Sequence, residues 1–223
     1  MQIQSTKTVT VLPHCLVYGA AKSGKTRLIP TCPRPFVCST DNGLSSIRET
    51  DTPFVSIKSW NQFQVEFMPW VFTKGADPFH TIIIDDITEL AEQFLVQEKP
   101  KHKNMMQAYG QLNDEFMALI RKLRELQKYV MIIAKQDKIK DEITGGMIYS
   151  PMFPGKAVAP MLPFLFGEIY HMEAYVDPKT AVQTTVLRTK RDAYNQYDAG
   201  SRSGKLAEIE IANMTSIFTK IMS

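Results

Sequence analysis

Apolar positions along the chain fall into two kinds of pattern. Short unbroken runs bounded by turn residues alternate with longer segments in which apolar residues recur every three or four positions. Val9-Thr-Val-Leu-Pro-His-Cys-Leu-Val-Tyr18 is apolar and β-branched up to a glycine, and its second half predicts a buried central strand. Pro35-Phe-Val-Cys-Ser-Thr40, Pro53-Phe-Val-Ser-Ile57, Thr81-Ile-Ile-Ile84 and Tyr129-Val-Met-Ile-Ile-Ala134 predict four more. Helices are predicted between them at Trp60 to Phe72, Glu89 to Gln97 and Met105 to Gln127. In the last, Met106, Tyr109, Leu112, Phe116, Leu119, Ile120, Leu123 and Leu126 form one apolar stripe.

Strands alternating with helices imply an α/β fold. The expected sheet is mainly parallel, with helices on both faces and the carboxyl ends of its strands along one ligand-binding rim. After Ala134 the pattern changes. A Gly- and Pro-containing stretch, 137–160, is expected to be a mobile loop, and Glu168 to Val176 with Val182 to Lys190 then predict an antiparallel hairpin turning at Asp177-Pro-Lys-Thr180. Residues 195–223 read as a C-terminal tail: a polar, mobile Asn195 to Lys205 followed by a short helix, Asn213 to Ile221. With 1–10 as an N-terminal extension, a single domain over 1–223 is expected.

Composition narrows the class. At 44% hydrophobic and 22% charged residues the chain is of ordinary globular type, and no apolar run nears the ~20 residues that cross a bilayer. Met1-Gln-Ile-Gln-Ser-Thr-Lys-Thr-Val lacks the long apolar stretch of a secretory signal, so the expected location is cytoplasmic. Three cysteines fit reduced thiols better than a disulfide framework. A net charge of +3 permits a polyanionic partner without requiring one. Basic residues do cluster in Lys99 to Lys103, Lys135 to Lys140 and Arg188 to Lys205, where a solvated surface is the simplest role.

The chemistry starts directly after the first strand. Gly19-Ala20-Ala21-Lys22-Ser23-Gly24-Lys25-Thr26 has every part of a phosphate-binding loop. Its glycines let the backbone wrap phosphate oxygens, Lys25 meets the β- and γ-phosphates, and the Thr26 hydroxyl binds magnesium. ATP with magnesium is therefore the expected ligand. The magnesium acid should end a buried strand, and Asp85 directly follows Ile82-Ile-Ile. Asp86 either polarises water or caps the helix after it. Asp41, ending the second strand, is the candidate for activating the attacking water, although Asp41-Asn-Gly43 is also ordinary turn chemistry. Gln136, after the fifth strand, places a neutral amide where it can sense a γ-phosphate.

Together these residues resemble the RecA-like branch of P-loop ATPases: a phosphate loop, an acid ending the next strand, a magnesium aspartate, and a strand-terminal glutamine leading into a loop. Asp41-Asn-Gly-Leu44 stands where that branch usually carries Glu, and Arg188-Thr-Lys190 where RecA has a basic pair reaching the neighbouring subunit's nucleotide. More narrowly, the chain is similar to small phage-encoded AAA-type ATPases related to RecA-like single-strand annealing proteins. That similarity runs through Gly24-Lys-Thr-Arg-Leu28, Ile84-Asp-Asp-Ile-Thr-Glu-Leu90, Tyr109-Gly110, Pro154-Gly-Lys156 and Asp198-Ala-Gly-Ser-Arg-Ser-Gly-Lys205. Those proteins usually carry Ser where this chain has Asp86.

The resemblance implies an ATPase, stimulated by DNA, that assembles as a ring or filament on single-stranded DNA inside a bacterial host, works in annealing or recombination, and has a single-strand-binding protein as a further candidate partner. It also implies a first helix cut short at Pro30. Lys138, Lys140 and Lys156 are the candidate DNA contacts, and Arg188 and Lys190 the groups acting across a subunit interface. Two alternatives stay open: a small-molecule kinase recruiting Arg188, Arg191 and Arg202 to a lid, and an annealing or loading module with negligible turnover.

Overall fold

The period-two alternation of the strands sorts the core onto two faces of one sheet. In the computed structural model, which describes residues 5, 11–142, 145–155, 160–176, 178, 181–192, 194 and 196–223, the first strand is β1 (His14–Gly19). β2 (Pro35–Ser39), β3 (Phe54–Ser56), β4 (Thr81–Asp85) and β5 (Tyr129–Lys140) follow. Leu16, Tyr18, Ile82, Ile84, Val130, Ile132 and Ala134 enter one cluster, while Cys15, Val17, Ile83, Met131 and Ile133 enter the other. Every one of these is buried, as strands covered on both faces require.

The first face is covered by α2 (Trp60–Gln62), α3 (Met68–Trp70), α4 (Ile87–Glu98), α5 (Met105–Leu123) and α6 (Leu162–Leu165). The opposite face is covered by α1 (Lys25–Leu28) and α7 (Met214–Met222), the latter capped by Asn213, whose Oδ1 accepts from Ser216 N at 3.0 Å. On α5, Leu112, Phe116, Leu119, Ile120 and Leu123 of the expected stripe are buried, but Met106 is 78% exposed. The segment read as one helix from Trp60 is instead α2 and α3 joined by a π turn, Phe63–Phe67. Pro69 offers no N–H to the preceding turn, and the wider turn accommodates that loss.

The remaining strands are β6 (Met147–Pro151), β7 (Glu168–Val176), β8 (Gln183–Arg188), β9 (Gly200–Ser201) and β10 (Ile209–Ile211). Sheet order is β10-β8-β7-β1-β5-β4-β2-β3, with β6 on β5 and β9 on β7. β1, β2, β3, β4, β5 and β7 run parallel, and β8 returns antiparallel to β7 as the expected hairpin. The register pairs Gly19 with Lys135 and Ser39 with Asp85, which brings the carboxyl ends of β1, β5, β2 and β4 to one rim. The chain is thus an α/β fold, a mainly parallel sheet with helices on both faces and an antiparallel hairpin late in the chain.

Two stretches expected to be mobile loops hold regular structure. Residues 137–140 continue β5, pairing Lys138 with Tyr149 and Lys140 with Met147 of β6. This two-stranded ribbon projects past the rim and turns where Asp141 N donates to Gly146 O at 2.8 Å. Within 195–205, Tyr197 bridges to Tyr149, their rings stack with centroids 5.1 Å apart, and β9 pairs with β7. The polarity of these segments hid the pairing, because their outward side chains meet solvent or aromatic rings instead of the core. Of the N-terminal extension, only Ser5 is described.

Candidate functional site

β1 delivers the chain to the rim at Gly19, and the phosphate loop turns from there into α1. A Cβ at Gly19 would stand 2.7 Å from the Met172 carbonyl oxygen, so the loop passes too close to β7 for any side chain. Gly24 takes φ +99°, a left-handed conformation that lets the loop enter α1. The backbone then curls around Lys25, whose Nζ donates to the Gly19 and Ala20 carbonyls at 2.7 and 2.9 Å. Burial lowers the Lys25 pKa, against the pull of Asp85, Asp86 and Asp41. The Ser23 hydroxyl is buried with no hydrogen-bond partner among the described residues. As the resemblance implied, α1 is short: after Leu28 the chain tightens into a 3₁₀ turn, Ile29–Thr31, containing Pro30.

Facing the loop are the two aspartates of β4. Asp85 is 3% exposed, and its Oδ2 accepts a hydrogen bond from Thr26 Oγ1 at 3.1 Å. Burial first, and then the nearby Asp41 charge, push its pKa up to about 7. Asp86 is 4% exposed and caps α4: its Oδ1 accepts from Glu89 N at 2.6 Å, while burial raises its pKa to about 6. The capping role named in the sequence is thus present, and Asp86 also lines the cavity. The Asp85–Asp86 peptide is cis, and Thr40 braces it: Thr40 Oγ1 donates to the Asp86 carbonyl and accepts from Asp86 N, both at 2.9 Å.

Asp41 follows at the end of β2, exposed, with Oδ1 accepting from Gly43 N at 2.8 Å. That turn places it on the same cavity, about 870 Å³ in volume, which is lined by the loop, Asp41, Asp85, Asp86, Lys135, Gln136, Met172, Thr185 and Ala212. Lys135 is drawn towards α4, pairing with Glu89 at 2.9 Å and Glu92 at 3.6 Å.

A nucleoside triphosphate with a divalent cation fits this donor set. Among the described residues no group of three or more His, Cys, Asp or Glu side chains is arranged to hold a metal alone. Magnesium in phosphoryl-transfer sites asks for less, because substrate phosphates and water complete its shell around one or two protein oxygens. Thr26 and Asp85 supply such a pair. Bound there, the ion would neutralise charge on the phosphates.

Other expected residues lie elsewhere. Arg188 on β8 is held within the chain, by Glu173 at 3.0 Å and Glu208 at 2.8 Å, with its guanidinium over the Tyr197 ring, and Lys190 is exposed just beyond. Neither lines the cavity. Arg191 pairs with Asp198 at 2.7 Å, so two of the arginines that a kinase lid would recruit are already engaged. Lys138 and Lys140 project from the ribbon, exposed, and Lys138 lies over the Tyr149 ring. Lys156 lies outside the described residues. One contact was not anticipated: Gln136 Oε1 meets His171 Nε2 at 2.8 Å.

A family model described as an AAA domain matches residues 13–203. Among curated protein sequences there is no match. Similar solved structures include a KaiC-like protein from Pyrococcus horikoshii OT3, at 12% identity over 81% of this chain and 80% of that one, with a TM-score of 0.45. The RadB recombinase is 14% identical over 80% and 89%, with a TM-score of 0.44. The flagellar accessory protein FlaH from Methanocaldococcus jannaschii is 10% identical over 88% and 83%, with a TM-score of 0.47.

Proposed function

The chain belongs to the AAA domain family, a nucleotide-binding P-loop NTPase, and from that premise we propose that it is a magnesium-dependent ATPase that binds single-stranded DNA and promotes annealing or recombination. Lys25 and the loop amides hold the phosphates, Thr26 and Asp85 hold the ion, and Asp41 orients or deprotonates the attacking water. Asp86 is the second acid within reach of that water. Gln136 reads the γ-phosphate.

The observation that carries the DNA reading is the course of β5. Because side chains alternate along a strand, Ala134, Gln136, Lys138 and Lys140 share one face. That face runs from the buried core at Ala134, past the cavity at Gln136, to two exposed lysines on the ribbon. An amide at the phosphate and cations at the DNA backbone would then belong to one rigid element, so nucleotide state could bias DNA affinity. Lys156 is proposed as a further contact on the basis of sequence alone.

Assembly as a homo-oligomer is proposed with Lys190, and with Arg188 after exchange of its partners, reaching a neighbouring subunit's nucleotide. Among the described residues Lys190 makes no ion pair, which leaves it the readier donor. A single-strand-binding protein is a further proposed partner, and the cytoplasm of a bacterial host the proposed setting. No described helix is long and apolar enough to cross a membrane.

The test is ATP hydrolysis with and without single-stranded DNA across a salt series, beside direct strand binding. Stimulated hydrolysis and salt-sensitive binding are expected. Absence of strand binding at low salt with ATP and magnesium present overturns the DNA reading, while hydrolysis lost in Lys25→Ala still supports the ATPase.

A further inference from the structure

We propose that His171 is a positioning residue for Gln136, fixing which end of its amide faces the phosphates. This rests on the reading of Gln136 as the residue that meets the γ-phosphate. A glutamine amide is a dipole with an acceptor at one corner and a donor at the other. With oxygen towards a phosphate it repels, and with nitrogen towards a phosphate it binds. With the His171 proton on Nε2, as the proposal has it, the 2.8 Å contact between His171 Nε2 and Gln136 Oε1 holds the second arrangement, the imidazole N–H donating to the oxygen. Gln136 Nε2 makes no hydrogen bond among the described residues, and Gln136 lines the cavity.

The ring of His171 is itself held by packing, while its Nδ1 makes no hydrogen bond among the described residues. His171 is 5% exposed, and its ring lies between Tyr18, at 5.1 Å, and Tyr197, stacked at 4.4 Å. Nδ1 lies 3.5 Å from Glu173 Oε2, and Arg188 holds the other carboxylate oxygen at 3.0 Å. β1 ends at Gly19, so the flanking strands β5 and β7 can bring Gln136 and His171 together across its end. Arg188 thus bears on the cavity through Glu173 and His171 without touching a nucleotide, a route distinct from its proposed action across an interface.

The experiment compares Gln136→Ala, His171→Phe and His171→Gln, reading kcat for ATP hydrolysis and the affinity ratio of a non-hydrolysable ATP analogue to ADP. Phe keeps the ring between the two tyrosines but has no donor, whereas the Gln side-chain nitrogen stands close to where Nε2 stood. Gln136→Ala and His171→Phe should both lose roughly tenfold or more in kcat and in the ratio, with ADP affinity unchanged, and His171→Gln should recover most of it. A folded His171→Phe that matches the parent while Gln136→Ala is impaired overturns the positioning role and spares the sensor. An unimpaired Gln136→Ala overturns both. Should His171→Phe not fold, imidazole ¹⁵N shifts of the unaltered protein decide: a protonated Nε2 is expected, and an unprotonated Nε2 overturns the proposal.

Discussion

Thr26 and Asp85 meet at 3.1 Å, hydroxyl to carboxylate, although they stand 59 positions apart in the chain. The contact joins the first turn of α1 to the end of β4 and sets two oxygens side by side where one cation can take both. It depends on sheet order, since β5 lies between β1 and β4 and holds their ends at a fixed separation. The predictions begin from this frame.

Lys25→Ala should weaken ATP binding by at least tenfold, because the ammonium meets phosphate. Stability should shift by no more than about 1 kcal/mol, because the lost contacts are two hydrogen bonds at the rim, one part-buried to Gly19 O and one exposed to Ala20 O. Titration calorimetry and thermal unfolding of the same preparation check both halves.

Asp85 should make the nucleotide-free protein less stable as pH rises. Its folded pKa is about 7, above the 3.8 of an unperturbed aspartate, so between those values the folded state binds the extra proton and stability falls with rising pH. Asp85→Asn removes this slope. The variant should gain about 2–4 kcal/mol on the parent in going from pH 4 to pH 8. Denaturant unfolding across that range reads the difference, and parallel curves would show that burial costs the carboxylate little.

Asp41→Asn keeps an oxygen for the Gly43 N–H, so the turn should survive. Nucleotide affinity should stay within a few-fold of the parent while single-turnover hydrolysis slows by about 10²–10⁴. Hydrolysis at the parental rate would move the water-activating role to Asp86.

Asp86 separates into two roles by substitution. Asp86→Ala should cost about 0.5–2 kcal/mol through the lost α4 cap, and Asp86→Asn, which still accepts from Glu89 N, should cost much less. If Asp86→Asn unfolds like the parent but turns over slowly, the carboxylate acts on the water as well as on the helix.

Lys138→Ala with Lys140→Ala should weaken single-strand binding almost equally for all base sequences. The slope of log affinity against log salt should flatten by about 0.7 for each phosphate contact removed. Basal ATP hydrolysis should persist, since neither lysine lines the cavity. Fluorescence anisotropy at several salt concentrations measures the slope.

What the sequence disclosed follows from how local each signal is. The phosphate loop is eight consecutive residues whose spacing is its geometry, and Asp85 ends an apolar run, so both were legible. The two core faces were legible as well, because Ile82, Ile83 and Ile84 must alternate once they lie in a strand. The ribbon was not, since Lys138 and Lys140 carry no apolar pattern and their pairing with β6 is a backbone matter. The Gln136–His171 contact was out of reach because it joins β5 to β7 across the end of β1, and only sheet order reveals that adjacency. Met106, on the apolar stripe yet exposed, lies in the first turn of α5, where periodicity cannot say how far the covering surface extends.

The unbroken course of β5 has a mechanical meaning. From Gln136 to Lys140 the strand spans about 13 Å at its usual rise, with β6 paired alongside to stiffen it. On the proposed reading it would serve as a lever with its fulcrum at the rim of the sheet. A tilt of about 10° at Gln136 would carry Lys140 through about 2 Å, on the scale at which a phosphate contact is made or broken.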